Sequence, residues 1–142
     1  MAQIAKKTFT LVAPSNQNGL IQEIESLAEQ AAFHAGLAED ERDSLAIAIT
    51  EVGNNAIMHG NKRDPNKKVY VTIQASAEGV EVIVGDEGTG FNPENLSNPL
   101  DPENLLRESG RGVFIMRSLM DEVKFSFSKG GTEVTIIKRK KN

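Results

Sequence analysis

Apolar and polar residues alternate through Lys7-Thr8-Phe9-Thr10-Leu11-Val12-Ala13 until Pro14 interrupts them, which is the period of a strand. From Asn16 to about Ala35 the period lengthens. Leu20, Ile21, Ile24, Leu27, Ala28 and Ala31 recur at helical spacing, and Gly36 follows as a stop. A second helix is predicted from about Asp40 to His59, with the core stripe Leu45, Ile49, Val52 and Ala56 and with Gly60 as its C-terminal punctuation. After the polar loop Asn61–Asn66, Val69, Val71, Ile73 and Ala75 alternate with Tyr70, Thr72, Gln74 and Ser76. The turn Ala77-Glu78-Gly79 leads into Val80–Asp86, making a hairpin.

Residues 87 to about 111 follow neither period and carry prolines, glycines and many polar side chains, the composition of a lid or binding loop. A short helix from Val113 to about Met120 then precedes two strands, Val123–Phe127 and Thr132–Lys138, joined across Ser128-Lys129-Gly130-Gly131. The order β-α-α-β-β-loop-α-β-β predicts an α+β fold: a two-layer α/β sandwich with helices on one face of a mixed, mainly antiparallel sheet. Its 142 residues form one domain, with a frayed tail from about 138 to 142.

Composition narrows the chemistry. Cysteine is absent and there are two histidines, which argues against disulfide scaffolds, thiolate catalysis and zinc clusters. No apolar run approaches the ~18 residues of a membrane span, and no secretory signal opens the chain, so a cytoplasmic location is expected. The net charge of −4 argues against direct nucleic-acid binding, and the basic tail Lys138-Arg139-Lys140-Lys141 reads as a solvated end.

Several polar residues then stand where apolar ones would serve a core better. Glu51 and Asn55 are four apart on one helix face, roughly 100–140° from the centre of the apolar stripe. Ser44 and Ala48 lie above them on that line, both small. An incidental helix edge explains this pair as well as a ligand does. Strand parity is sharper. Asp86 continues the face of Val80, Val82 and Val84, and Thr132 shares its face with Val134 and Ile136. A carboxylate directed to an apolar side is costly unless it is paired, and loop capping or a ligand would each supply partners. Gly88-Thr89-Gly90 lets a ligand approach the backbone. Gly110-Arg111-Gly112 opens onto a helix whose first N–H groups suit phosphate. Neither glycine pair fits a Walker A loop or a dinucleotide fingerprint.

Taken together, Glu51-x-x-x-Asn55-Ala56-x-x-His59-Gly60, Asp86-x-Gly88-x-Gly90-Phe91, Gly110-Arg111-Gly112 and Gly131-Thr132 resemble the boxes of the GHKL ATPase superfamily, whose ATP-binding domain is the Bergerat fold. Within it, the run from Gly112 to Val123 is most similar to the anti-sigma factor serine/threonine kinases of the RsbW and SpoIIAB type. The resemblance implies ATP and Mg²⁺. Asp86 would accept a hydrogen bond from the adenine amino group, assisted by Thr132 through its hydroxyl or a water. Gly88 and Gly90 would pass against base and sugar, and Asn55 would coordinate the metal. Gly110, Gly112 and the helix from Val113 would hold the phosphates under a lid of residues around 92–109.

Glu51 would be the general base. Arg107 or Arg111 would face the γ-phosphate, although the family often has arginine where this chain has Glu108. The implied function is a protein serine/threonine kinase that binds a sigma factor, phosphorylates a STAS-type antagonist and forms a homodimer. The alternative is a non-catalytic, ATP-dependent partner-binding regulator of the same fold.

Overall fold

A computed structural model of the chain describes residues 4–88, 112–128 and 130–141. Five strands form one sheet in the order β1-β2-β3-β5-β4: β1 Lys7–Pro14, β2 Lys68–Ser76, β3 Gly79–Asp86, β4 Glu122–Ser128 and β5 Gly131–Arg139. Every neighbouring pair is antiparallel, so the sheet has no mixed pairing among the described strands. Strand β5 returns between β3 and β4, which places the ends of β3 and the start of β5 side by side.

The strands form where alternation predicts them because one face of each is buried. Val69, Val71, Ile73 and Ala75 of β2, Val80, Val82 and Val84 of β3, and Val134 and Ile136 of β5 all point inward. Helices α1, Leu20–Ala35, and α2, Glu39–Asn54, cover this face together with α3, Gly112–Leu119. Ile24, Leu45, Ile49, Val52 and Met116 fill the space between the layers. Gly36 closes α1 in the left-handed conformation, with φ 76°, as the sequence predicted. No described helix is long and apolar enough to cross a membrane.

Two expectations are corrected. The second helix does not run unbroken to His59: α2 ends at Asn54, and residues Asn55–Gly60 form a π-helical turn. The wider winding shows in the Asn61 N–H, which bonds the carbonyl of Ala56, five residues back, at 2.9 Å. Residues 138–141 do not fray. Lys138 Nζ bonds the Leu119 carbonyl at the C-terminus of α3, Lys140 N bonds Glu78 O, and Lys141 N bonds the buried Glu41 carboxylate. Basic residues that looked solvated thus supply cations and N–H donors to a helix end and a buried acid.

Candidate functional site

The C-terminal end of α2, the π-helical turn and the end of β3 meet at one edge of the sandwich. Glu51 lies in the last turns of α2 and Asn55 opens the π-helical turn, both half-buried. Neither makes a side-chain hydrogen bond among the described residues, which leaves their oxygens available. Gly53 beside them lets α2 approach α1, since a Cβ there would press on Ile21 Cδ1 at 2.9 Å.

Asp86 stands at the centre of this edge. Parity directs it inward as expected, at the end of the buried row Val80, Val82 and Val84. Its Oδ1 accepts the N–H groups of Gly88 at 2.9 Å and Thr132 at 3.2 Å. Thr132 therefore reaches Asp86 through its main chain, a contact additional to the one expected between its hydroxyl and the ligand. Burial pushes the Asp86 pKa above the usual carboxylate value; the N–H groups of Gly88 and Thr132, then the charge of Lys67, pull it partly back.

Three glycines wall the carboxylate in. A Cβ on Gly60 would fall within the Asp86 carboxylate, one on Gly131 would meet the Asp86 carbonyl, and one on Gly88 would meet the Gly60 carbonyl. Gly60 is the last residue of the π-helical turn, where the sequence predicts the helix to stop, but it does not act as a left-handed cap. Its φ is not positive, and its missing side chain makes room for Asp86. The π-helical turn brings Gly60 to that position, so the wide turn and the glycine are parts of one device.

Asn61 is a positioning residue that sequence reasoning missed. It is 1% exposed, its Oδ1 accepts the Glu87 N–H at 2.8 Å, and its Nδ2 donates to the Lys68 carbonyl at 2.9 Å. The side chain ties the π-helical turn to both strands of the hairpin that carries Asp86. In the sequence it is one polar residue of an evident loop, with no periodicity to single it out.

Gly112 begins α3, and Val113 behind it is buried in the core. Helix α3 packs beside α2. Gly90, Arg107, Gly110 and Arg111, with the expected lid, lie outside the described residues. No group of three or more His, Asp or Glu suited to a metal occurs among the described residues.

The family model described as the histidine kinase-like ATPase domain matches residues 14–138. The chain belongs to that family. ATP is accordingly its nucleotide, and the matched stretch carries every candidate residue named above. Its relatives include the serine-protein kinase RsbW of Bacillus subtilis, 35% identical over 71% of this chain and 67% of the relative. The anti-sigma F factor of Anoxybacillus flavithermus is 37% identical over 76% of this chain and 77% of that protein. Matches to RsbW proteins thus span about two thirds of those relatives' length. Among solved structures, the RsbU and RsbW domains of a Mycobacterium tuberculosis protein superpose with a TM-score of 0.63. That match has 16% identity and covers 94% of this chain and 32% of the other, a likeness of fold.

Proposed function

We propose that this protein is an ATP-dependent protein serine kinase of the anti-sigma type, which holds a sigma factor and phosphorylates a STAS-type antagonist. The observation that carries the reading is the half-satisfied Asp86 carboxylate walled by glycines, beside Glu51 and Asn55, in a chain related to serine-protein kinases.

The residues fit a magnesium nucleotide. Asp86 Oδ1 is taken by two N–H groups, while no described donor bonds Oδ2, so one carboxylate oxygen is left for the adenine amino group. Asn55 offers a neutral, hard oxygen of the kind Mg²⁺ accepts, and a single protein ligand suits an ion shared with phosphates. When bound, the magnesium nucleotide supplies the phosphoryl group and neutralises charge on it. Gly112 and Val113 present the N–H groups of a helix start to phosphate oxygens. Glu51, one helical turn before Asn55, orients the substrate hydroxyl and takes its proton. Arg107 or Arg111 is assigned to the γ-phosphate, and the remaining glycines, Gly90 and Gly110, to close backbone approach.

Incubation with Mg-ATP and a STAS-type antagonist, followed by phosphoserine analysis, tests the reading. The wild type is expected to label the antagonist, and Glu51→Gln to bind ATP while slowing transfer by about 10²–10⁴-fold. Intact ATP binding with no transfer to any antagonist would leave the non-catalytic regulator as the better description. Sigma-factor capture with ADP and with ATP, and sedimentation for the expected homodimer, complete the test.

A further inference from the structure

The face of the sheet away from the helices carries a glycine that the fold does not require. Gly85 lies within β3, where glycine weakens a strand and forgoes packing. Gly60, Gly88 and Gly131 nearby would each clash if given a Cβ, and Gly131 also has a φ of +139°. Gly85 has neither reason. Its backbone is not in the left-handed region, and a Cβ would lie 4.0 Å from Thr132 O and Tyr70 Cβ, which is ordinary contact. A depression of about 250 Å³ lies over Gly85, lined by Tyr70, Glu133 and Ser126 and, toward the ends of β3 and β5, by Asp86, Thr132 and the Gly130-Gly131 turn.

Register explains its shape. Tyr70 pairs with Gly85, Gly85 with Glu133, and Glu133 with Ser126, so the four form one row across β2, β3, β5 and β4. Tyr70 and Glu133 are two strand spacings apart, roughly 9–10 Å, with an open floor between them. The Tyr70 hydroxyl donates to Glu87 Oε2 at 3.0 Å, which fixes the ring. Lys67 and Lys68 balance Glu87, and Lys124, one row away, is engaged by Glu122. Exposed Glu133 has no partner among the described residues.

We infer that this slot receives an arginine side chain of a partner protein, stacked against Tyr70 and paired with Glu133 over the Gly85 floor. A planar guanidinium matches both walls, since it stacks on an aromatic face and forks onto a carboxylate. The slot also lies back to back with the nucleotide edge, because Gly85 and Glu133 alternate with Asp86 and Thr132 along their strands. The inference goes beyond the kinase reading and does not need it.

The probe is N-acetyl-argininamide, titrated into the full chain and followed by amide NMR. Saturable shifts at Gly85, Thr132 and Glu133 are expected, with a dissociation constant in the millimolar range. Gly85→Val is expected to abolish them, and Glu133→Gln to weaken binding about five-fold. ATP binding by both variants reports that the inner face is intact, and Glu133→Gln keeps the test valid if Gly85→Val folds poorly. Absent shifts, or equal shifts from N-acetyl-norleucinamide, overturn the inference. So does Gly85→Val shifting residues 89–111 without probe, which gives the slot to the chain's own loop. Concentration-dependent broadening lost in Gly85→Val overturns it as well, in favour of a second copy.

Discussion

Glu41 and Asp86 are two acids in contrasting surroundings, one near the start of α2 and the other beyond its end. Glu41 is 1% exposed and both of its oxygens are used: Oε1 accepts Ala38 N–H and Oε2 accepts Lys141 N–H, each at 2.7 Å. It closes the start of α2 and fastens the C-terminal strand to it across 100 residues. Asp86 spends one oxygen on two donors and keeps the other unbonded among the described residues, and burial raises its pKa. A structural acid is satisfied within the fold. An acid left half-satisfied beside three glycines has capacity for something the described residues do not provide.

Removing each acid should separate the two roles. Glu41→Ala removes the buried carboxylate that accepts the Ala38 and Lys141 N–H groups and is expected to cost roughly 1–3 kcal/mol of stability, read by urea unfolding. ATP affinity measured on the folded fraction should stay unchanged; a parallel loss of ATP binding would break the contrast. Asp86→Ala is expected to weaken ATP about 10–100-fold by calorimetry, the size of a hydrogen bond to a charged group. Gly60→Ala should weaken ATP in the same direction, because its Cβ displaces the Asp86 carboxylate.

The smallest effect is one of pH. The folded state holds the Asp86 proton more tightly than the unfolded chain does, because its pKa is raised. The stabilising contribution is therefore complete below the unfolded value of about 3.9 and is lost as pH rises through the folded pKa. Asp86→Asn should flatten that part of the stability–pH curve. An unchanged slope after the substitution would show that the burial of Asp86 has no energetic consequence.

Much of the candidate site was legible one residue at a time. Asp86 was found by counting in twos from Val80, since a strand alternates sides whatever packs on it. Glu51 and Asn55 were found by their shared helix face, although Asn55 proves to open a π-helical turn rather than continue the α-helix. Gly60 was legible as a helix stop and not as a neighbour of Asp86. Its place after an apolar helix looked like a stop, while its contact with Asp86 depends on a strand 26 residues later. Asn61 and the ordered tail were missed because polar residues in a loop and lysines at a terminus have the same composition whether bonded or solvated.

The sequence by itself determined the order of the elements, which face of each is buried, and the inward direction of Asp86. Those follow from periodicities carried by residues two to four positions apart. Only the tertiary structure decided which donor meets which acceptor: Asn61 with Glu87 at a separation of 26, Thr132 with Asp86 at 46, and Lys141 with Glu41 at 100. Such bonds depend on how the layers come together, and a single hydrogen bond leaves no period along the chain to mark its partner.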